Sequence, residues 1–284
     1  MISIFGEFNE NLERFYTNYV SSTAPQPYAA SKTAGYVHTL NAGNAILITD
    51  DFIPYLITTD LVQKHALKTG DYVDCQATFS AFHERDLIIM VDNVRHVNYD
   101  EIPVVKATRH FTIDGRPINF GSTTLVQIDQ QTDIYQRAEQ IFTNVPANAK
   151  KMVLSFDGRR ENFNPEYLLH VTKPGYSSRD KLTQCLLCFF QAKEMVATGE
   201  DVVLVIDSLD KMFNVFNNCM QKVGVIDPNF ISTNAVTDLE SILRSSTCLQ
   251  NQGTFTIVGL HHQRNTAPQQ YITERFYQLF DNFI

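Results

Sequence analysis

The hydrophobic pattern divides the chain into two unlike parts. Between Gly35 and Asn98, short apolar or alternating runs (GYVHTL, NAILIT, YLITT, DYVDCQATFSAF, DLIIMVDNVRHV) are separated by turn residues. Strands of this length and spacing predict a small antiparallel barrel. The stretch LVQKHALKTGD, Leu61 to Asp71, places a helical turn before a Gly-Asp turn, which fits a five-stranded barrel of OB type. Upstream, Phe8, Leu12, Phe15 and Tyr19 recur at helical spacing and predict an amphipathic helix over 7–20. The polar, Pro-containing Ser21–Lys32 reads as a linker. These patterns assign residues 1–34 to an N-terminal helix and linker and 35–100 to the barrel.

After Tyr99, DEIPVVKATRHFTIDGRPINF is a connection punctuated by Pro and Gly, and the domain boundary falls near 100–118. Beyond it strands and helices alternate. TTLVQI (123–128), KMVLSFD (151–157), VVLVID (202–207) and TFTIVGL (254–260) read as strands. Asp133–Phe142, Arg179–Thr198 and Val236–Leu249 read as helices. This order predicts a mainly parallel sheet with helices on its faces, over residues 119–284. The fold class expected for the whole chain is α/β, a small barrel followed by an α/β domain.

The central run is DVVLVIDSLDKM, Asp201 to Met212. Its unbroken β-branched stretch predicts a strand buried on both faces. Asp207 then stands at the strand's C-terminal end, where open α/β sheets bind ligands. In P-loop NTPases such a carboxylate helps to hold Mg²⁺ on a nucleotide. The other reading of Asp207 is a core strand ending in a helix-capping residue.

Composition narrows the partners. The 284 residues are 44% hydrophobic and 19% charged, an ordinary globular balance, with a net charge of −8. That charge counts against strong non-specific binding of nucleic acid. No apolar run approaches the roughly 20 residues of a membrane span, so no membrane partner is expected. The beginning MISIFGEFNENLERF has no basic region of a secretory signal. The five cysteines have no disulfide-like spacing, which points to a reduced, cytoplasmic compartment.

Several segments, in order along the chain, resemble the Rho-type bacterial transcription termination factors, which are ring-forming, RNA-dependent ATPases. Leu67-Lys68-Thr69-Gly70-Asp71 is similar to the family's Leu-Arg-Thr-Gly-Asp turn. Glu84-Arg85 and Val97-Asn98-Tyr99-Asp100 follow in the same order. In the second domain, DVVLVIDSLDKMFNVFN resembles the Asp-Ser-Ile-Thr-Arg segment, and GTFTIVGL resembles the Gly-Ser-Leu-Thr-Ile strand. TERFYQLFDNFI resembles the Tyr-Glu-Glu-Phe segment. The resemblance covers roughly Gly35 to Phe283 and implies an OB-like RNA-binding barrel followed by a RecA-like domain of P-loop NTPase type.

The nucleotide machinery departs from that pattern. Where the family's phosphate loop has Gly, Lys and Thr, this chain has Thr132, Asp133 and Ile134. An acid repels a triphosphate, and Ile cannot ligate a metal. The family's Asp-Glu-Arg, whose Glu activates water, is Asp157-Gly158-Arg159 here. The sequence stops at Ile284, short of the family's segment that supplies an arginine across the subunit interface. Only Asp207 remains. The resemblance therefore implies a pseudo-ATPase, with neither ATP nor Mg²⁺ as cofactor.

The RNA-facing positions are altered too. The family's base-stacking Gly-Phe-Gly-Phe strand is replaced within Gly43–Leu47, and the Tyr after Glu-Arg is Asp86. Losing stacking aromatics costs about 1–3 kcal/mol per base. Glu84, Arg85 and Lys222 remain as RNA-contact candidates. The partners implied are single-stranded RNA, bound weakly, and other subunits, either copies of this chain or a genuine Rho.

Outside the resemblance, Cys185 and Cys188 lie on a helix without further zinc ligands and read as core. Phe189, Phe190, Phe213 and Phe216 read as core or subunit contacts. His261-His262 follow a strand at the ligand-binding edge, and Arg159-Arg160 follow a strand end where an anion could bind. Three function classes result. The first is a non-catalytic Rho-like RNA-binding or regulatory protein. The others are an RNA-dependent ATPase of atypical chemistry and a structural scaffold without nucleic acid.

Overall fold

The computed structural model describes residues 26–39, 43–49, 55–83, 86–96, 105, 108–129, 131–156, 162–173, 175–219, 239, 242–244, 246–248, 253–262 and 278–284. The chain forms two compact units, Met1–Asp100 and Glu101–Ile284. The helix expected over 7–20 lies outside the described residues.

The first unit is a closed barrel of β1 (Gln26–Thr39), β2 (Ala45–Ile48), β3 (Tyr55–Ile57), β4 (Tyr72–His83) and β5 (Asp86–His96), in the order β1-β2-β3-β5-β4. Side chains alternate across each strand. Val37, Ala45, Leu47, Ile57, Val73 and Ile89 thus share one interior cluster. Helix α1 (Thr59–Lys64) buries no residue fully, but Leu61 and Val62 pack against that cluster.

One expectation is corrected here. The linker does not run to residue 34, because β1 begins at Gln26 and pairs with β4 (Gln26↔Ser80, Ser31↔Ala77). The long edge of β4 offers backbone partners that override the poor strand propensity of this Pro- and Ser-containing stretch. The register shifts between Pro27 and Ser31, an irregularity of the kind that accommodates a residue lacking N–H.

The second unit opens with a hairpin, β6 (His110–Ile113) and β7 (Arg116–Asn119), inside the stretch expected to be a connection. Asp114 and Gly115 have φ of 50° and 75°, as a tight turn with two left-handed residues requires. The hairpin is not a spacer, because Phe111, Ile113 and Ile118 are buried in this unit's core.

The elements that follow are β8 (Thr123–Ile128), α2 (Ile134–Thr143), β9 (Lys150–Ser155), β10 (Leu168–Val171), α3 (Ser178–Ala197), β11 (Val202–Ile206), α4 (Leu209–Cys219), β12 (Thr247–Cys248), β13 (Thr254–His262) and β14 (Asn282–Phe283). The sheet order is β10-β9-β11-β13-β8-β14, all parallel, with β12 antiparallel beside β13. Strands β10, β12 and β14 were not predicted. Thr247–Cys248 falls within the expected helix 236–249 but pairs with Cys248↔Thr254 and Thr247↔Phe255.

Both sheet faces are covered. Val126, Val153, Val203, Val205 and Val258 form one core with the hairpin and with Ala138, Ile141 and Phe142 of α2. On the other face α3 and α4 pack against each other and against β13. Phe189 of α3 meets Phe255 edge-on at 6.0 Å. Close approach fixes one glycine there, since a Cβ on Gly259 would lie 2.6 Å from Leu209 Cδ1. Because α3 packs against both the sheet and α4, its buried arc is wide, which accounts for the buried Cys185, Cys188, Phe189 and Phe190.

Candidate functional site

All long strands of the second unit point the same way, so their C-terminal ends form one edge. There β8 leads into α2 on one face, while β11 leads into α4 on the other. Strand β13 lies between them in the sheet. A switch of this kind is where open α/β sheets bind ligands. The residues it gathers are Thr132, Asp133 and Ile134 after β8, Ser155 ending β9, Asp207 and Asp210 after β11, and His261 and His262 ending β13.

Asp133 is the N-cap of α2. Its Oδ1 accepts from the backbone N–H of Tyr135 at 2.9 Å and of Gln136 at 3.4 Å. The positive end of a helix is a ready anion site, and here a carboxylate of the same chain occupies it. Thr132 N–H donates to Asp129 O at 3.1 Å, closing a turn before the helix. Ile134 packs against the apolar core, and Tyr135 beside it meets Phe163 edge-on at 4.8 Å.

Asp207 is fully buried. Ser155 Oγ donates to its Oδ2 at 2.6 Å. Phe156 N–H donates to Oδ2 at 2.9 Å and to Oδ1 at 3.0 Å. Burial pushes its carboxyl up to about 6, against the pull of these two donors. One turn later Asp210 is also buried, and its Oδ2 lies 3.2 Å from Nδ1 of buried His261.

Asp133 thus accepts from the first free amides of α2, and both oxygens of Asp207 accept from neighbouring backbone and hydroxyl donors. Among the described residues no group of three or more His, Cys, Asp or Glu could hold a metal ion. Asp157, the expected replacement for the water-activating region, lies outside the described residues, as do Arg159 and Arg160.

The barrel candidates Glu84 and Arg85 and the loop candidate Lys222 also lie outside the described residues. The strand aligned with the family's stacking strand is described. Ala45 and Leu47 face the barrel interior, and Ile46 and Ile48 on the opposite face are 4% and 2% exposed. Strand β2 therefore offers no open stacking surface.

Two features escaped the sequence reading. Ser155 and Asp210 became site residues only through pairing of β9 with β11 and packing of α4, although the spacing Asp207-x-x-Asp210 was a signal for the latter. His170 on β10 is clamped by α3. Gln184 Nε2 lies 2.8 Å from its Nδ1 and Gln191 Oε1 lies 2.7 Å from its Nε2. With Gln184 donating, the imidazole is neutral with its proton on Nε2, and burial lowers its proton affinity further. Cys185 and Cys188 are buried in the core, as expected, and Cys75 is buried in the barrel. Burial pushes Cys75 up to about 12 and raises Cys188 as well, so neither is a poised nucleophile.

Among the described residues no helix is long and apolar enough to cross a membrane. No family model matches the chain, and no curated protein matches it in sequence. Among solved structures, the chain is similar to a prototypical ATPase from the type III secretion system of pathogenic bacteria. The identity is 14% and the TM-score 0.53, over 72% of this chain and 64% of that one. The chain thus spans less than two thirds of that protein's length. At this identity the likeness is one of fold alone, and it does not single out Rho.

Proposed function

We propose that this chain is a Rho-like protein that no longer hydrolyses ATP and acts by binding, as an RNA-binding or regulatory module of transcription termination in the cytoplasm. The observation that carries the reading is Asp133, whose carboxylate caps α2 at the place where a P-loop protein would hold phosphate. The burial of Asp207 supports it, because the carboxylate is turned to Ser155 and Phe156, which donate to both of its oxygens. Copies of itself or a genuine Rho are the subunit partners, and single-stranded RNA is the weak ligand. The test is an ATP turnover assay with and without single-stranded RNA, beside equilibrium ATP binding. No turnover and no Mg²⁺-dependent binding are expected. Turnover abolished by Asp207→Asn would overturn the proposal.

A second reading, a scaffold that binds no nucleic acid, is favoured by the burial of both faces of β2. Titration of fluorescent single-stranded RNA at two salt concentrations separates the two. Salt-sensitive binding supports the RNA-binding form, and no binding supports the scaffold.

A further inference from the structure

Strand β8 carries the sequence TTLVQI, with neither charge nor proline, and it would be the edge of the sheet were it not for β14. Uncharged strands of this kind readily accept another strand. The segment Leu279–Ile284 satisfies that edge closely. Thr123 N–H donates to Asp281 Oδ2, and Asp281 N–H donates to Thr123 O, both at 2.8 Å. Ile284 N–H donates to Leu125 O at 3.0 Å, and Gln127 N–H donates to Ile284 O at 2.7 Å.

Side chains make the fit selective. Asn282 Nδ2 bridges Ser122 Oγ and Thr124 Oγ1, each at 3.2 Å. Arg116 Nη1 donates to Phe283 O at 2.8 Å, and Ile284 packs against the apolar core. Main-chain bonds supply affinity and alternate side chains supply specificity, the logic of strand addition. The determinants are an acid, an amide and an aliphatic residue in the order Asp-Asn-x-Ile.

We propose that the outer edge of β8 is a strand-acceptor site, and that the segment Leu279–Ile284 of a second copy of this chain exchanges into it. The contacts are with one short segment and are the same whichever copy provides it. Exchange therefore conserves every bond and shifts only the effective concentration. The partner is a second copy because the recognised pattern is this chain's own.

Complementation between two full-length variants tests this. Asp281→Lys disables the segment and leaves the acceptor edge intact. Gln127→Pro removes an edge-facing donor on an exposed residue and leaves the segment intact. Each alone is expected to be monomeric by light scattering, and an equimolar mixture is expected to double in mass. In the mixture, the Gln127 amide of the Asp281→Lys chain should regain the protection from hydrogen exchange that it loses alone. The milder pair Asp281→Ala with Asn282→Ala replaces Asp281→Lys should that variant fold poorly. A mixture that stays monomeric with an unprotected Gln127 amide overturns the proposal. So does a dimer formed by the Asp281→Lys chain alone.

Discussion

Ser155 Oγ donates to Asp207 Oδ2 at 2.6 Å, tying the end of β9 to the end of β11 through two fully buried side chains. The Asp207 carboxylate is thus a joint between two strands.

The pH dependence of that joint can be measured. Burial raises the Asp207 carboxyl from 3.8 to about 6. The folded state therefore binds this proton more tightly than the unfolded state. Its contribution to stability is fully present below pH 3.8 and is lost as pH rises to about 6. A rise of that size corresponds to about 3 kcal/mol at most. Urea unfolding from pH 4 to 7 should show wild type losing stability relative to Asp207→Asn as pH rises. Equal slopes for the two proteins would contradict this account.

Asp133→Ala removes two hydrogen bonds at the start of α2. Loss of such a cap costs about 1 kcal/mol. We expect a lower unfolding midpoint in denaturant and no gain of ATP binding, because neither a Gly-rich loop nor a lysine appears with the substitution. Tight Mg²⁺-dependent ATP binding by the variant would mean that Asp133 alone blocks an otherwise complete site.

At the opposite edge of the sheet, Arg109 grips Asp201 with two hydrogen bonds of 2.6 and 2.8 Å, and Thr254 Oγ1 adds a third at 2.8 Å. Burial works against the charged form of Asp201, but these donors outweigh it and hold its carboxyl below the usual range. Its contribution is therefore present above pH 3.8 and is lost as pH falls through the lowered folded value. Arg109 is 56% exposed, so water screens the pair. Arg109→Ala should cost only about 1 kcal/mol in thermal or denaturant unfolding. A loss several times larger would show that Arg109 matters through packing on Phe120, where its guanidinium sits 5.3 Å from the ring centre.

Two glycines should rank by what a methyl group would meet. At Gly253 a Cβ would lie 1.8 Å from Glu200 O, a backbone atom that cannot step aside. At Gly259 it would meet the movable side chain of Leu209 at 2.6 Å. Overpacking costs about 1–3 kcal/mol where neighbours can adjust. Gly259→Ala should fall in that range and Gly253→Ala should exceed it, as read from paired denaturant titrations. The reverse order would place the tighter approach at α4.

The sequence by itself determined the two-part plan, because period-two alternation and short apolar runs are local properties of the chain. It also placed Val202–Ile206 as a strand buried on both faces, and Asp207 at its end. Asp133 was legible as an acid at the start of a helix. Only the tertiary structure decided what those acids do, since the donors to Asp207 come from β9, some fifty residues earlier. The same holds for Gln26–Lys32, a linker by composition and a strand because β4 offers it partners. It holds too for the hairpin at Asp114-Gly115, whose flanking apolar residues find their core in α2 and β8. Local pattern sets which backbone conformations are favourable, but a hydrogen bond or a buried charge is settled by groups distant in sequence, which meet only when the sheet closes.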